Sequence, residues 1–391
     1  MTSQTTEDLR RRNLSRVLTL LHEEGARSRA ELTREVGLSR STMAGVVAEL
    51  IGLGLVTEST PALTGGAGRP SGVVRLAEDV VAVAVNPEVD AVHVGLVGLG
   101  GRVVKHVRIE TPDTEVATVV GLAAATVRGM LAGDSARVLG LGLAIPGQVR
   151  IGDGVVRQAT HLGWSEVPIV DEVTKATGLR SWAANAATLA MRAESRFGAG
   201  KGVADLVYLI GGASGVGGGA VVAGQLLTGA AGYAGEFGHT VVRPGGARCH
   251  CGAAGCLEAE VDQATLLAAV GLDAADAGRL GRELTERLAG RGDEDPDSAL
   301  AGLVEELAGL LAVAVRNAVN VLNPQAIVLS GFLAALRDAA PVDLVGDAVA
   351  SIREGVEVRD AALGEEQLMI GAAELVWAEL LADPAGFLLG G

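Results

Sequence analysis

The sequence has few aromatic residues, few cysteines and no clear export or membrane-spanning segment. Aromatic side chains make up 2% of the 391 residues and there are three cysteines, whereas 49% of the residues are hydrophobic and 56 are glycine. A chain with this much apolar surface does not remain disordered. We therefore expect a folded α/β protein, and its length predicts two or three domains.

Two segments have some features of targeting or membrane signals. Arg10, Arg11 and Arg12 are followed by neither a long apolar run nor a small-residue cleavage site. Residues 206–235 carry no charge and are long enough to cross a bilayer, but their repeated glycines favour turns and buried strands. With so few cysteines, the sequence predicts a cytoplasmic protein that makes no membrane contact.

Positive charge is scarce and unevenly distributed. The formal charge of the whole chain is −15, yet residues 1–76 contain ten Arg, no Lys and eight acidic residues, a balance of +2. The remaining residues therefore carry −17, and an acidic surface of this kind repels nucleic acid. Any contact with DNA is expected to come from the amino-terminal segment.

All three cysteines lie within eight residues and follow a histidine. The four residues are His239, Cys249, Cys251 and Cys256. Three thiolates and one imidazole form the ligand set of a closed, tetrahedral zinc site, which stabilises a fold and leaves no open position for a reacting water. We predict structural Zn²⁺ here; the alternatives are buried free cysteines, or a disulfide with one thiol left over.

The segment from Gly235 to Glu258 resembles the hallmark of the ROK family, named for repressors, open reading frames and sugar kinases. It reads G-E-F-G-H, followed after nine residues by C-H-C-G-A-A-G-C-L-E. The resemblance implies a two-lobed α/β domain of the actin-like ATPase type, in which a zinc loop over residues 239–256 braces a sugar pocket. It also implies that Glu236, His239 and Glu258 contact sugar hydroxyls.

The amino-terminal segment has the pattern of a helix-turn-helix. Apolar residues recur at helical spacing over residues 14–21. Ser28 and Glu31 form a capping box for a second helix, and Ser39 is placed to cap a third helix at about residues 40–53. In a helix-turn-helix the second helix of the pair lies in the major groove, where its first turn reaches base edges.

The residues expected to contact DNA follow from this arrangement. The start of the third helix presents Ser39, Arg40, Ser41 and Thr42, which can donate or accept hydrogen bonds. Predicted strands at residues 55–57 and 73–76 flank a glycine-rich loop, as in a β-wing. Its G-R-P resembles the motif that ends the winged helix of ROK regulators, which implies that Arg69 enters a narrow minor groove. The alternative is a small helical domain that binds no DNA.

One segment differs from the sugar kinases at the position of their general base. Residues 181–187 read S-W-A-A-N-A-A, where kinases of the family carry N-D-A-N-A and the Asp takes the proton from a sugar hydroxyl. The resemblance places Trp182 and Ala183 at the Asn and Asp, and neither side chain accepts a proton. Asn185 is retained as the fourth expected ligand contact. The missing Asp predicts that the protein is not an enzyme.

A second kinase element is also altered. Residues 86–90 read N-P-E-V-D, where the kinases have a turn that holds phosphate through backbone amides. Glu88 and Asp90 are expected to repel phosphate at that position. Pro87 supplies no amide donor.

These observations predict a two-domain transcriptional regulator. We expect a winged helix-turn-helix over residues 1–76 and a ROK effector domain of two α/β lobes over residues 77–391. The protein is expected to be a repressor, similar to the xylose, N-acetylglucosamine and glucose repressors of the family. Its partners would be double-stranded operator DNA and a sugar or sugar derivative, and operator symmetry predicts a homodimer or a dimer of dimers. The alternatives are an ATP-dependent sugar kinase and a ROK regulator that responds to a non-sugar ligand.

Overall fold

The amino-terminal part of the chain folds into three helices and a small antiparallel sheet, which we call the amino-terminal module. The structure is a computed structural model and describes residues 6–59, 72–150, 152–289 and 298–389. The module consists of α1 (Thr6–Glu24), β1 (Arg27–Ser28), α2 (Arg29–Val36), α3 (Arg40–Gly52), β2 (Val56–Ser59) and β3 (Val73–Leu76). Its strand order is β1-β3-β2.

Local sequence explains where the helices of the module begin and end. The backbone N–H of Glu31 donates to the Ser28 hydroxyl at 3.2 Å, and the backbone N–H of Ser28 donates to the Glu31 carboxylate at 2.7 Å, so the predicted capping box forms. Gly37 ends α2 in the left-handed conformation, with φ at 72°. Ile51 is apolar but 40% exposed, because it lies at the edge of the apolar stripe that Val47 and Leu50 occupy.

The first lobe of the body is built on a five-stranded mixed sheet. Its elements are β4 (Val80–Pro87), β5 (Ala91–Gly98), β6 (Arg102–Glu110), α4 (Val116–Leu131), β7 (Arg137–Ile145), β8 (Gln148–Val149), β9 (Val156–Ala159), β10 (Trp164–Val167), α5 (Ile169–Thr177) and β11 (Ser181–Asn185). The sheet order is β11-β7-β4-β5-β6, and β8 to β10 form a separate antiparallel sheet. β11, β7 and β4 are parallel, so their carboxyl ends meet at one edge. β4 is buried along its whole length, which explains its nearly unbroken hydrophobic sequence.

The second lobe is built on another five-stranded sheet, with order β14-β13-β12-β15-β16. The remaining elements of the chain are α6 (Ala186–Phe197), β12 (Leu206–Gly212), β13 (Gly215–Val222), β14 (Gln225–Leu226), α7 (Leu257–Glu260), α8 (Gln263–Val270), α9 (Leu280–Leu288), α10 (Ser298–Leu322), β15 (Ala326–Gly331), α11 (Phe332–Ala339), α12 (Ala350–Arg353), β16 (Glu357–Asp360), α13 (Gln367–Ala382) and α14 (Pro384–Leu389).

Helix α13 returns from the second lobe and packs between the first lobe and the amino-terminal module. Its Trp377 is fully buried and belongs to one hydrophobic cluster with Leu18 of α1 and Ala82 of β4. The backbone of α13 also lies close to its neighbours. A Cβ on Gly371 would lie 2.3 Å from the carbonyl oxygen of Leu189 on α6, so only glycine fits there.

Helix α10 is the one helix in the described ranges that is long and apolar enough to span a membrane by length and composition. Its residues Val304, Leu311 and Val315 are fully buried in the core of the second lobe. The uncharged residues 206–235 contain the strands β12, β13 and β14 and no helix.

Candidate functional site

A cavity of about 210 Å³ lies between the two lobes. Its floor includes Asn86 at the end of β4, Gly147 after β7 and Asn185 at the end of β11, and the β12–β13 turn closes it from the second lobe. The crevice outside the carboxyl ends of parallel strands is the usual ligand position in α/β sheets. The fold therefore places a small cavity where a ligand is expected.

The cavity wall carries many polar side chains among apolar ones, and it contains more carboxylates than cations. Its side chains with ionisable or amide groups are Asn86, Glu88, Gln148, Gln158, His161, Asn185, Glu236, His239, His250, Cys251 and Glu258. None of the described residues that line it is Lys or Arg. Such a wall offers many hydrogen-bond acceptors and little positive charge to balance a phosphate.

Glu258 is held in position by groups from three segments. One carboxylate oxygen accepts a hydrogen bond from the backbone N–H of Val216 at 3.0 Å. The other lies 2.9 Å from Nδ1 of His250 and 3.9 Å from Nε2 of His161. Burial alone would raise the pKa of Glu258, but the imidazole of His161, the Val216 amide and His250 outweigh it, so the pKa is below its ordinary value. The side chain therefore faces the cavity as a fixed carboxylate acceptor.

Glu236 and His239 form a second polar pair in the wall. Oε2 of Glu236 lies 3.8 Å from Nε2 of His239, and Oε1 accepts a long hydrogen bond of 3.4 Å from Gln148. The Glu236 side chain is 39% exposed, which leaves its oxygens open to a ligand.

Asn185 lines the cavity, but its amide already has protein partners. Its oxygen accepts from the backbone N–H of Thr188 at 3.0 Å and so caps α6. Its nitrogen donates to the carbonyl oxygen of Gly147 at 2.9 Å. The side chain thus links the end of β7 to the start of α6 at the cavity wall.

The predicted metal ligands lie together beside the cavity. The ligand atoms of His239, Cys249, Cys251 and Cys256 are all within 4.8 Å of one another. Sγ of Cys249 is 3.6 Å from Nδ1 of His239, and Sγ of Cys251 is 3.7 Å from Sγ of Cys256. A tetrahedral zinc ion separates two sulfurs by about 3.8 Å and a sulfur from a nitrogen by about 3.6 Å, given the usual bond lengths. The spacing of these four atoms therefore fits a zinc ion.

His239 connects the metal-ligand cluster to the cavity. Its Nδ1 faces Cys249, while its Nε2 faces Glu236 across the cavity wall. A carboxylate beside the second ring nitrogen is the usual way in which a metal-ligating histidine is oriented.

The two residues at the kinase base positions lie away from the cavity wall. Trp182 stacks on Phe387 of α14 with ring centroids 6.3 Å apart, and the guanidinium of Arg180 lies 4.7 Å from the Trp182 ring. Ala183 packs against the core of the first lobe. Neither is among the residues that line the cavity.

Of the two carboxylates expected at the phosphate turn, only one faces the cavity. Glu88 lines it, and both burial and the nearby Asp90 raise the pKa of Glu88. Asp90 is not among the lining residues and pairs with Arg108 at 2.5 Å. Asp90 therefore does not face the cavity as expected, because it lies in the bend between β4 and β5 and its side chain turns towards Arg108 on β6.

The four residues expected at the DNA-reading helix are exposed at the start of α3. The Ser39 hydroxyl accepts from the backbone N–H of Thr42 at 3.1 Å and caps the helix. Arg40, Ser41 and Thr42 follow in the first turn, all on the surface. Arg69, expected in the wing, lies outside the described residues.

Sequence reasoning missed two histidines of the cavity wall, His161 and His250. Their rings contact each other with centroids 5.2 Å apart, although 89 positions separate them in the sequence. His250 had a usable signal, since it lies inside the C-H-C motif. His161 also had a signal, since residues 159–168 resemble the loop of the family that closes over one side of the sugar.

Comparison with known proteins identifies the family. The sequence pattern of the ROK family matches residues 83–379. The chain is 34% identical over 254 residues to a glucokinase from Halalkalibacterium halodurans, covering 61% of this chain and 76% of that protein. It is 24% identical over 382 residues to a putative xylose repressor from Caldicellulosiruptor sp., covering 91% and 93%.

A solved structure shares the fold along almost the whole chain. The crystal structure of a ROK family transcriptional regulator, a homologue of the E. coli MLC protein, matches with a TM-score of 0.77 at 23% identity, over 98% of both chains. The predicted sugar-kinase-like fold of the body and the predicted family resemblance are thereby confirmed. This chain belongs to the ROK family.

Proposed function

We propose that this protein is a DNA-binding transcriptional repressor whose body binds a sugar or sugar derivative without phosphorylating it. The proposal rests mainly on how much of this chain each of its relatives matches. The match to a putative xylose repressor covers 91% of the chain and so reaches into the amino-terminal module, whereas the match to a glucokinase covers 61%. A catalytic kinase needs no such module.

The amino-terminal module would act as a winged helix-turn-helix. In this proposal α3 enters the major groove and Arg40, Ser41 and Thr42 reach base edges, with Ser39 at the helix start and Arg69 in the minor groove. The acidic remainder of the chain would face away from DNA. Two such modules in a homodimer, or four in a dimer of dimers, would read a palindromic operator.

The DNA contact is tested by substituting Arg40. Arg40→Ala is expected to weaken binding to an operator selected from random DNA by about 5- to 150-fold, the effect of losing one good base contact of about 1–3 kcal/mol. The matched control is Arg128→Ala, an exposed arginine on α4 of the body, which should bind like the unaltered protein. Equal affinity of all three proteins would refute the role of α3.

The cavity favours a neutral, hydroxyl-rich ligand. Glu236 and Glu258 would accept hydrogen bonds from sugar hydroxyls, while His239 and Asn185 complete the proposed contacts. A cavity of about 210 Å³ is below the range of roughly 300–1,000 Å³ for drug-sized ligands and is suited to a monosaccharide. The absence of Lys and Arg from its described wall disfavours nucleotide phosphates.

We further propose that His239, Cys249, Cys251 and Cys256 hold a structural zinc ion. The fit of their spacing supports this assignment. Zinc would fix the loop that carries His239 and Glu258 against the cavity.

A sugar kinase is the second candidate, because glucokinases are among the relatives. The two functions differ in one assay, the sugar-dependent release of ADP from ATP, measured with a coupled enzyme system. With Ala183 at the position of the base we expect no release above background for D-glucose, D-xylose or N-acetyl-D-mannosamine. Sugar-dependent turnover would show that the protein is a sugar kinase and not a regulator without catalytic activity.

We also propose that the protein acts in the cytoplasm, without a membrane partner.

A further inference from the structure

Helix α6 runs from the ligand cavity to the amino-terminal module. At its start, Asn185 caps the helix and Ala186 and Ala187 line the cavity. At its end, the ring of Phe197 lies 5.2 Å from the ring of His22 on α1 in an edge-on contact, and Nε of Arg196 lies 3.6 Å from Glu23. Twelve residues of α-helix span about 18 Å. One rigid element thus touches both the cavity and the module.

The end of α6 meets α1 at a buried polar cluster formed by His22, Arg196 and Glu374. Nε2 of His22 lies 2.8 Å from one oxygen of Glu374 on α13, and the guanidinium of Arg196 pairs with the other oxygen. The side chains of His22 and Glu374 have no exposed surface. We call this set the His22–Arg196–Glu374 cluster.

The protonation state of His22 follows from its partners. The backbone N–H of Gly100 donates to Nδ1 of His22 at 2.9 Å, so this nitrogen is an acceptor. Nε2 therefore carries the proton and donates it to Glu374, which leaves a neutral imidazole. The carboxylate of Glu374 is then balanced mainly by Arg196 and by Arg192, whose Nε lies 3.9 Å away.

The charge state of Glu374 is consistent with this arrangement. Burial by itself would raise the pKa of Glu374, but the hydrogen bond from His22 and the nearby guanidinium groups hold it below its ordinary value. A fully buried carboxylate keeps its charge only while all of these partners stay in place. The charge of Glu374 therefore depends on α1, through His22, and on α6, through Arg196 and Arg192.

Helix α6 is joined to α13 by close backbone packing and by hydrogen bonds. The backbones touch where Gly371 of α13 approaches Leu189 of α6. The buried carboxylate of Glu194 on α6 accepts hydrogen bonds from the backbone N–H groups of Ala199, Ala362 and Leu363 at 2.8–3.1 Å, which ties the end of α6 to the segment before α13. A shift at the cavity end of α6 is thus passed on to the cluster.

We propose that α6 couples the cavity to the amino-terminal module and that the His22–Arg196–Glu374 cluster is the contact through which a bound ligand changes the position of the module against the body. The inference rests on the proposed function, and it names the residues that carry the regulation. The intact cluster corresponds to the state that binds operator DNA. Ligand binding at Asn185 and its neighbours displaces α6 together with α13, moves Glu374 and Arg196 away from His22 and Glu23 of α1, and so shifts the module against the body.

The test compares two variants. Glu374→Gln keeps the shape of the side chain and removes the charge that Arg196 balances. Lys201→Ala is the matched control, because Lys201 also joins the segment after α6 to α1, at 2.9 Å from the carbonyl oxygen of Glu23 and 3.4 Å from Glu24, but on the exposed surface. Operator affinity is measured with and without D-glucose, D-xylose and N-acetyl-D-mannosamine, and sugar affinity is measured separately by calorimetry.

The expected result is a loss of coupling in Glu374→Gln alone. The unaltered protein and Lys201→Ala should lose operator affinity by about 5- to 150-fold with the active sugar, the usual size of an allosteric effect. Glu374→Gln should change by less than about twofold, with its sugar affinity intact, and should bind the operator about tenfold or more weakly without sugar. Full coupling in a folded Glu374→Gln protein would overturn the inference.

A second readout separates this inference from the proposed function. If no sugar alters operator binding by the unaltered protein, the effector proposal fails, and the sugar-free operator affinities then decide the role of the cluster. If Glu374→Gln binds the operator more weakly than Lys201→Ala does, the His22–Arg196–Glu374 cluster is still supported as the contact that sets DNA affinity. If the two variants bind the operator equally well and residues 19–24 show equal hydrogen-exchange protection, the proposed role of the cluster is rejected.

Discussion

Glu258 is the residue on which the proposed ligand site depends most. Its carboxylate faces the cavity and is fixed by Val216 and His250. Glu258→Ala is expected to weaken binding of the effector sugar by about 10- to 150-fold, because a hydrogen bond to a charged group contributes about 1.5–3 kcal/mol. Isothermal titration calorimetry measures the change.

The control for this substitution addresses the nearby metal ligands. Glu258→Gln retains an oxygen acceptor at the same place and should lose less affinity than Glu258→Ala. Zinc content and melting temperature of both variants, measured in parallel, show whether the loop with Cys256 is intact. Unchanged sugar affinity of a folded Glu258→Ala protein would remove this residue from the binding site.

At the scale of single residues, the sequence was informative wherever a local motif fixed the geometry. The C-H-C and G-E-F-G-H motifs predicted a cluster that includes Cys249 and His239, and the structure brings these ligand atoms together. The sequence did not predict the contact between His22 and Glu374, because 352 positions separate these residues and neither residue type signals burial. Only the packing of α13 against α1 brings this pair together.

At the scale of elements, Ser39 has two roles that substitution can separate. Ser39→Ala removes the hydroxyl that caps α3 and should lower the free energy of unfolding by about 1 kcal/mol. Ser39→Asp keeps an acceptor at the cap, and its charge is favourable at a helix start, so stability should be retained. The same charge should repel DNA phosphates and weaken operator binding.

Denaturant unfolding and operator titrations of the two variants check this prediction. The account expects a stability loss for Ser39→Ala and an affinity loss for Ser39→Asp. If Ser39→Asp binds DNA as well as the unaltered protein, α3 does not approach the phosphate backbone with its amino-terminal end.

The helices and strands themselves were largely predictable from sequence. The helix predicted from the capping box of Ser28 and Glu31 forms as α2, and the helix predicted at about residues 40–53 forms as α3, which ends at Gly52. Periodic apolar residues and end signals such as Gly37 explain this success. The exposed position of Ile51 and the outward turn of Asp90 were not predictable, because each depends on which neighbouring element covers that face.

At the scale of the whole molecule, the proposed zinc ion links stability to ligand binding. One zinc per chain is expected by elemental analysis, and prolonged chelation should lower the melting temperature and abolish sugar binding together. The physical reason is that His239 would hold the metal through one ring nitrogen and face Glu236 through the other. Cys256→Ser should reproduce the effect of chelation.

An outcome in which chelated protein keeps both its melting temperature and its sugar affinity would contradict the zinc assignment. Lys175→Ala is the control for effects of purification and chelator treatment that do not involve the metal ligands. Lys175 is exposed on α5 and is far from the cysteines in sequence. It should retain zinc, stability and sugar affinity at the levels of the unaltered protein.

The arrangement of the whole molecule fits the proposed regulatory role. The cavity lies between two lobes, α6 leads from it, and α13 packs against both the first lobe and the amino-terminal module. Sequence composition predicted the division of charge between module and body. It could not predict the shared core between them, because Leu18 and Trp377 come from opposite ends of the chain.

The most direct test of the central claim is binding of the purified protein to its selected operator DNA, with and without a panel of sugars, at two salt concentrations. The account predicts a complex that weakens as salt rises, since phosphate contacts release counterions, and that dissociates with one sugar of the panel. Salt-sensitive binding that no sugar alters would contradict the effector claim. Absence of any sequence-specific complex would contradict the repressor claim itself.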